Sequence, residues 1–98
     1  MPTFRVIVSG ANLLMEVEGN RGRYGFEVAR FVDADDASEA GDRALGLVRE
    51  SPQWRLGALN AAGDPPRCWV SEVTRLPSHQ TAPSKQPGFA FFPAEPEH

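Results

Sequence analysis

Apolar and polar residues alternate at the start of the chain. Within residues 4–8, Phe4, Val6 and Val8 fall on one face. This period of two, with its β-branched residues, predicts a half-buried strand. Residues 10–12 (Gly-Ala-Asn) are expected to break the strand or to form a bulge in it.

A second apolar run, residues 13–17, follows this break. It is expected either to continue as a strand or to cap the core. Glycines within residues 19–22 then predict a turn. An antiparallel hairpin with the next strand is the arrangement that these signals favour.

The next predicted strand, residues 24–32, carries an aromatic side chain on each face. Alternation places Phe26 and Val28 on one face and Glu27 and Phe31 on the other. Such a strand needs cover on both sides.

A single amphipathic helix is predicted after this strand. Asp36 and Glu39 have the spacing of a capping box, which favours a helix start at this point. Pro52 is expected to end the helix. The predicted buried stripe follows helical spacing and consists of Ala37, Ala40, Gly41, Ala44, Leu47 and Val48.

Two further strands are predicted after the helix. Residues 54–59 alternate Trp54, Leu56 and Ala58 with other residues and predict a third strand. Residues 60–66 contain glycine and two prolines and predict a turn. Residues 67–76 are rich in Val, Trp and Thr and predict the fourth strand.

The composition changes after residue 77. Residues 78–87 are polar, contain prolines and have no periodicity, which predicts a flexible linker. Residues 88–93 form an aromatic tail that is expected to pack on the same domain or on a partner subunit. Residues 94–98 are expected to be a disordered end.

The predicted fold is therefore α+β: a compact domain of residues 1–77 in ββαββ order. A mainly antiparallel four-stranded sheet is packed by one main helix as a two-layer sandwich. It resembles a ferredoxin-like fold, in which a second helix would be present. One helix covers part of one sheet face, so Phe31, Trp69 and Val73 are expected on an uncovered face, which the tail, a second chain or a ligand must meet.

Composition narrows the classes of function. The chain has 98 residues and a net charge of -3, which disfavours nucleic-acid binding because phosphate contacts need a basic surface. We find no apolar run long enough for a membrane span and no signal-peptide pattern at the start. The single cysteine, Cys68, favours a reducing, cytoplasmic location. The excess of arginine over lysine suggests a bacterium with a GC-rich genome.

No catalytic, cofactor or metal constellation is predicted. The aspartates of residues 33–36 are typical of helix capping, and they lack the glycine and final glutamate of a calcium loop. Cys68 and His79 have the residue types of a nucleophile and a base, but a cysteine in a strand is more often a small buried apolar residue. The glycines at 19, 22 and 25 precede a strand, whereas a phosphate loop precedes a helix.

Two hypotheses for function remain open. The first is a small protein-interaction or regulatory module that forms a homodimer, or binds another protein, through its open sheet face or its tail. The alternative is a small ligand-binding or enzymatic ferredoxin-like domain with a cleft near Arg30 and Trp69. Seven residues are the candidate interface or ligand contacts: Arg30, Phe31, Trp69, Arg75, Phe89, Phe91 and Phe92.

The chain also resembles a family of small uncharacterised bacterial proteins. The resemblance implies that the aromatic tail is part of the domain, and it implies no particular activity. It is carried by Gly10, Asn12, Leu13, Leu14, Gly25, Phe26, Arg30, Phe31, Val32, Ala34, Glu39, Ala40, Ala44, Val48, Arg49, Gly88, Phe89, Phe92 and Pro93.

Overall fold

A computed structural model describes residues 1–55, 59–80 and 82–93. The predicted disordered end, residues 94–98, lies outside the described residues. The elements in chain order are β1 (Thr3–Val17), β2 (Asn20–Asp33), α1 (Ala37–Glu50), α2 (Pro52–Arg55), β3 (Arg67–Arg75) and β4 (Ala90–Pro93).

The four strands form one antiparallel sheet in the order β3-β1-β2-β4. The two long central strands, β1 and β2, form a hairpin whose turn has positive φ at Glu18 (54°) and Gly19 (83°). β1 does not break after residue 10; it continues through a register shift between Gly10 and Leu13, where Asn12 has a φ of 61°. The predicted α+β class with an antiparallel four-stranded sheet is therefore confirmed.

Helix α1 begins and ends at the predicted signals. The side chain of Asp36 accepts a hydrogen bond from the backbone N–H of Glu39 at 2.8 Å, which satisfies a free donor of the first turn. At the other end, the backbone N–H and the hydroxyl of Ser51 both donate to the Val48 carbonyl. Small residues on its inner face, including Ala40 and Ala44, are fully buried, so the helix approaches the sheet closely.

The core lies between α1 and the sheet face on which Phe4, Val6 and Val8 of β1 are buried. We call this the covered face. Phe26 of β2 lies opposite Gly10 of β1 and is fully buried. A Cβ atom built on Gly10 would be 1.9 Å from the Phe26 ring, so the ring occupies the space that a side chain at residue 10 would need.

The predicted ββαββ order is not matched. The segment predicted as the third strand, residues 54–59, lies partly in helix α2, which begins at Pro52; proline is well suited to the first position of a helix. Trp54 packs edge-on against Phe26, with ring centroids 6.2 Å apart. Residues 56–58 lie outside the described residues. The last strand of the sheet is formed by the aromatic tail, as β4.

The prediction that Val73 lies on the uncovered face is wrong. Val70 pairs with Val8, and Val73 pairs with Val6, so both valines face the core although they are three residues apart. The register shift that permits this lies at Ser71, between the partners of Ile7 and Val8. A bulge adds one residue and reverses the alternation beyond it.

Substitution of Gly10 tests the contact with Phe26. Gly10→Ala should lower the free energy of unfolding by about 3 kcal/mol, because the Phe26 ring must leave its place. Gly46→Ala is the matched control: nothing lies within 4 Å of a Cβ at Gly46, and alanine in a helix should add about 0.5–1 kcal/mol. Urea unfolding of both variants measures this. Equal effects at the two positions would contradict the packing argument.

Candidate functional site

The sheet face opposite α1, which we call the open face, combines small central residues with aromatic outer ones. One row across the sheet consists of Trp69, Ser9, Glu27 and Ala90, in the strand order β3-β1-β2-β4. No helix or strand within residues 1–55, 59–80 and 82–93 packs on this face. Trp69 of β3 and Phe92 of β4 are large, and Ser9 and Gly25 on the strands between them are small, which makes this part of the face concave.

The concavity is a trough of about 690 Å³. Its walls are Trp69 of β3 and Phe92 of β4, and both side chains are nearly half exposed, at 45% and 47%. The complete lining is Ser9, Gly10, Ala11, Asn12, Tyr24, Gly25, Phe26, Glu27, Trp69, Phe92 and Pro93. A trough of this size with aromatic walls is a surface on which a planar or apolar group can be held.

The position of Phe92 depends on a glycine beneath it. Gly25 pairs with Phe92, and a Cβ at Gly25 would be 2.5 Å from the Phe92 ring and 3.1 Å from the Gly10 carbonyl oxygen. Since residue 25 has no side chain, the ring lies close over the backbone of β2.

The opposite wall is positioned by the β3 bulge. The hydroxyls of Ser9 and Ser71 are hydrogen-bonded to each other across β1 and β3. Ser9 is 8% exposed, and it pairs directly with Trp69. The bond places Ser71 on the open face, and it anchors β3 to β1 two residues from Trp69.

A polar network anchors residues 59–66 at one end of the trough. The Asn12 amide donates to the Asp64 carboxylate at 2.8 Å, and the Asn12 carbonyl oxygen accepts from Arg23. Arg23 and Asp64 form an ion pair at 2.7 Å. Asn60 donates to the backbone carbonyl of Asn12 at 2.7 Å and accepts from the backbone N–H of Leu14 at 2.9 Å. Each side chain of the network has a partner, which indicates a structural role.

Hydrogen bonding holds the pKa of Asp64 below its ordinary value of 3.8. The main cause is the hydrogen bond from Asn12, followed by the bond and the charge of Arg23. Both partners favour the ionised carboxylate.

A second cluster, on the covered face, attaches the tail. Arg30 donates to the backbone carbonyl of Pro87 at 2.6 Å, and its guanidinium carbon lies 5.3 Å from the centre of the Phe89 ring. Phe89 in turn packs against Phe26 with centroids 5.1 Å apart. Partial burial lowers the pKa of Arg30, because the charged form loses part of its hydration.

The tail follows β2 in one register from residue 86 to residue 93. The paired positions of β2 and β4, such as Glu27 with Ala90, have residue numbers that sum to 117. Gln86 and Phe31 continue this register: the Gln86 amide donates to the Phe31 carbonyl and accepts from the Phe31 N–H, both at 2.9 Å. A side-chain amide thus replaces the backbone at the last position of the pairing.

The candidate residues named from the sequence fall into separate places. Arg30, Phe89 and Phe91 lie together on the covered face, where Phe91 is 6.1 Å from Phe26. Trp69 and Phe92 line the trough.

Phe31 lies on the open face opposite Arg5. Arg75 lies at the end of β3, opposite Phe4, and is exposed. His79 is also exposed, in a turn after β3. Arg30 and Trp69 are on opposite faces of the sheet, so they do not line a common cleft.

Sequence reasoning missed the residues that form the floor of the trough. Ser9 and Gly25 lie between the two aromatic walls, and Glu27 supplies a carboxylate at its edge. The predicted alternation of residues 24–32 placed Glu27 on the face opposite Phe26, whereas Ser9 follows the predicted strand of residues 4–8. The register between strands, which the sequence does not give, shows that Trp69 and Phe92 flank these residues.

Two further observations bear on chemistry. Within the described ranges, no three His, Cys, Asp or Glu side chains are close enough together to hold a metal ion. No helix in this part of the chain has both the length and the apolar character needed to cross a membrane.

Comparisons with family models, curated proteins and solved structures give no significant match to this chain. The resemblances drawn from the sequence, to a bacterial family and to a ferredoxin-like fold, therefore stay predictions. Function has to be argued from the geometry of the open face.

Acidification tests the Asp64 network. A carboxylate with a lowered pKa stabilises the fold fully above its unfolded value, near 3.8, and loses this contribution as the pH falls through the folded pKa. The difference in unfolding free energy between the wild type and Asp64→Asn should therefore be largest at neutral pH and shrink below pH 3.8. Denaturation at a series of pH values measures it, with Asp42→Asn on α1 as the control for loss of a carboxylate. A difference that is constant with pH would contradict this role.

Removal of the Arg30 side chain tests the attachment of the tail. Arg30→Ala should cost about 1–2 kcal/mol, from one charge-assisted hydrogen bond and one cation–π contact. Hydrogen exchange in β4 should accelerate, whereas exchange in α1 should change little. Arg43→Ala, which removes a helix-surface ion pair with Glu39, should cost no more than about 0.5 kcal/mol. Unchanged exchange in β4 would show that the tail does not depend on Arg30.

Proposed function

We propose that this protein is a small interaction module that self-associates as a two-fold dimer through its open face. The observation that carries the proposal is the pair of half-exposed aromatic side chains, Trp69 and Phe92, on either side of the trough. Contiguous exposed apolar surface of this kind marks interaction sites. A two-fold dimer is the commonest closed assembly, and it uses the same surface on both copies.

The sheet edges are less suited to association than the face. The free edge of β3 carries a bulge at Ser71 and charged residues at Arg67, Glu72 and Arg75. β4 is four residues long and ends at Pro93, which has no N–H to donate. Bulges, charges, short strands and prolines are the devices that prevent pairing between sheet edges.

The tail supports the choice of the open face. In the same chain, Phe89 and Phe91 pack against Phe26 on the covered face. Their apolar surface is thus used within the protein, and Phe92 is the tail aromatic that remains on the trough side.

The expected dimer is reversible. Covering the exposed parts of Trp69 and Phe92 on both copies removes on the order of 400 Å² of apolar surface, or about 10 kcal/mol. The cost of association is of the same order, about 4–15 kcal/mol. The dimer should therefore depend on protein concentration.

A small-ligand site in the trough is the second candidate, favoured by a volume that falls within the usual range of about 300–1,000 Å³ for ligand pockets. Such a site would use Trp69 but not Arg30, which lies on the other face of the sheet.

Cys68, a half-buried free thiol on the covered face, is compatible with the reducing, cytoplasmic location predicted from the sequence.

Light scattering coupled to size-exclusion chromatography tests the dimer. The wild type should shift from the mass of one chain towards that of two chains as its concentration rises from micromolar to millimolar. Trp69→Ala should abolish the shift, because it removes one wall of the trough. Leu47→Ala is the matched control: Leu47 is 42% exposed on α1, away from the open face. A wild type that stays a single chain throughout would refute self-association and favour the ligand site.

A further inference from the structure

We propose that Arg67 and Glu27 form reciprocal ion pairs between the two copies, with Trp69 of each copy seated in the trough of the other. The inference rests on the dimer proposed above and names the groups that set its register. It is argued from two charged side chains of the open face, Arg67 and Glu27, that take part in no ion pair among the described residues.

The alternation of β1, β2 and β3 places several charged side chains on this face, among them Arg5, Glu72, Arg67 and Glu27. Arg5 and Glu72 form an ion pair within the chain at 3.6 Å. Arg67 and Glu27 take part in none of the ion pairs found among residues 1–55, 59–80 and 82–93. Both are exposed, and they flank the trough from β3 and from β2. Glu16, Arg21 and Asp33 lie farther along the same face and are also absent from these ion pairs, so Arg67 and Glu27 are distinguished by their position beside the trough. A cation and an anion placed in this way are complementary to the same face of a second copy.

The register explains why the two do not meet within one chain. Arg67 lies in the row of Ala11, and Glu27 lies in the next row, that of Ser9. Strand β1 separates them, so their backbones are about 10 Å apart across the sheet. Water solvates both charges in a single chain, and a second copy above the face can offer each of them a partner.

A two-fold axis parallel to the strands and above β1 supplies that partner. This rotation places β3 of one copy over β2 of the other and keeps the rows aligned. Arg67 then lies over Gly25 of the second copy, with its backbone about 7 Å along the strand from Glu27 and one sheet-to-sheet spacing, about 10 Å, above it. The two long side chains point towards each other across this gap. Trp69 lies over Glu27, at the edge of the trough beside Ser9.

The local surroundings suit a guanidinium at this position. The Phe92 ring lies over the backbone of Gly25, so a guanidinium placed above this residue lies on the ring. A cation above this point faces an aromatic ring and has the Glu27 carboxylate within reach, an arrangement that favours arginine. The symmetry repeats the pair, so each dimer contains it twice.

Charge reversal tests the pairing. Glu27→Arg and Arg67→Glu should each raise the dissociation constant of the dimer at least about tenfold, since every dimer then contains two like-charge contacts. The double variant, Glu27→Arg with Arg67→Glu, should return the constant to within about threefold of the wild type. Sedimentation equilibrium measures all three proteins, and circular dichroism verifies that they are folded. Asp42→Arg on α1 is the control for a change of net charge.

The outcomes separate the two proposals. A wild type that is a single chain at millimolar concentration overturns both. A dimer that Trp69→Ala disrupts, but that the double charge reversal does not restore, overturns the ion pairs and leaves the dimer through the open face standing. The dissociation constant of the wild type should also rise with added NaCl, because exposed ion pairs are screened. A constant that does not change with salt counts against the pairing.

Discussion

The ring of Phe26 lies against the backbone of Gly10, and most of the structure depends on this contact. A Cβ atom at Gly10 would be 1.9 Å from the ring. From this position Phe26 reaches Trp54 of α2 and both Phe89 and Phe91 of the tail. Three segments that are distant in the sequence therefore share one buried side chain. In a chain of 98 residues, whose core is small, one side chain that contacts three segments links them to the same core.

The tail changes the balance between the two sheet faces. Together, α1, α2 and the tail cover the face that carries Phe26, so the aromatic residues of the tail are divided between the two sides. Phe91 packs inward, whereas Phe92, one residue later, faces the trough. The strand that completes the core thus also builds one wall of the candidate binding surface. Any occupant of the trough is in contact with a strand whose position depends on Arg30 and Gln86.

Local signals were sufficient for part of the fold. The helix start at Asp36 and the alternation of β2 could be predicted because a cap and a period of two act within a few residues. The alternation that places Phe26 and Val28 on one face of β2 also places Arg30 there, opposite Val6. Its partners there, Phe89 and Pro87, could not be predicted, since they come from a segment nearly sixty residues away.

The errors arose where tertiary contacts decide the local structure. Trp54 lies in an alternating pattern, yet it belongs to a short helix that packs on Phe26. Val73 has the spacing of Trp69, yet the bulge at Ser71 turns it to the core. The trough could not be derived from the sequence for a similar reason: its walls stand on strands that are neighbours only through the order β3-β1-β2-β4.

The Gln86 amide bonded to Phe31 has a bearing on which insertions the chain can tolerate. Gln86 is bonded to Phe31, and Ala90 pairs with Glu27. The two strands have the same number of residues between these contacts, so the contacts fix the register of the tail at both ends. One residue added between them would exchange the sides of Phe91 and Phe92, because side chains alternate along a strand. Phe91 would then lie opposite Gly25 on the trough side, and Phe92 would lie opposite Tyr24 on the covered face, one position away from the place that Phe91 fills beside Phe26. Length variation in this region should therefore be confined to the polar stretch before Gln86.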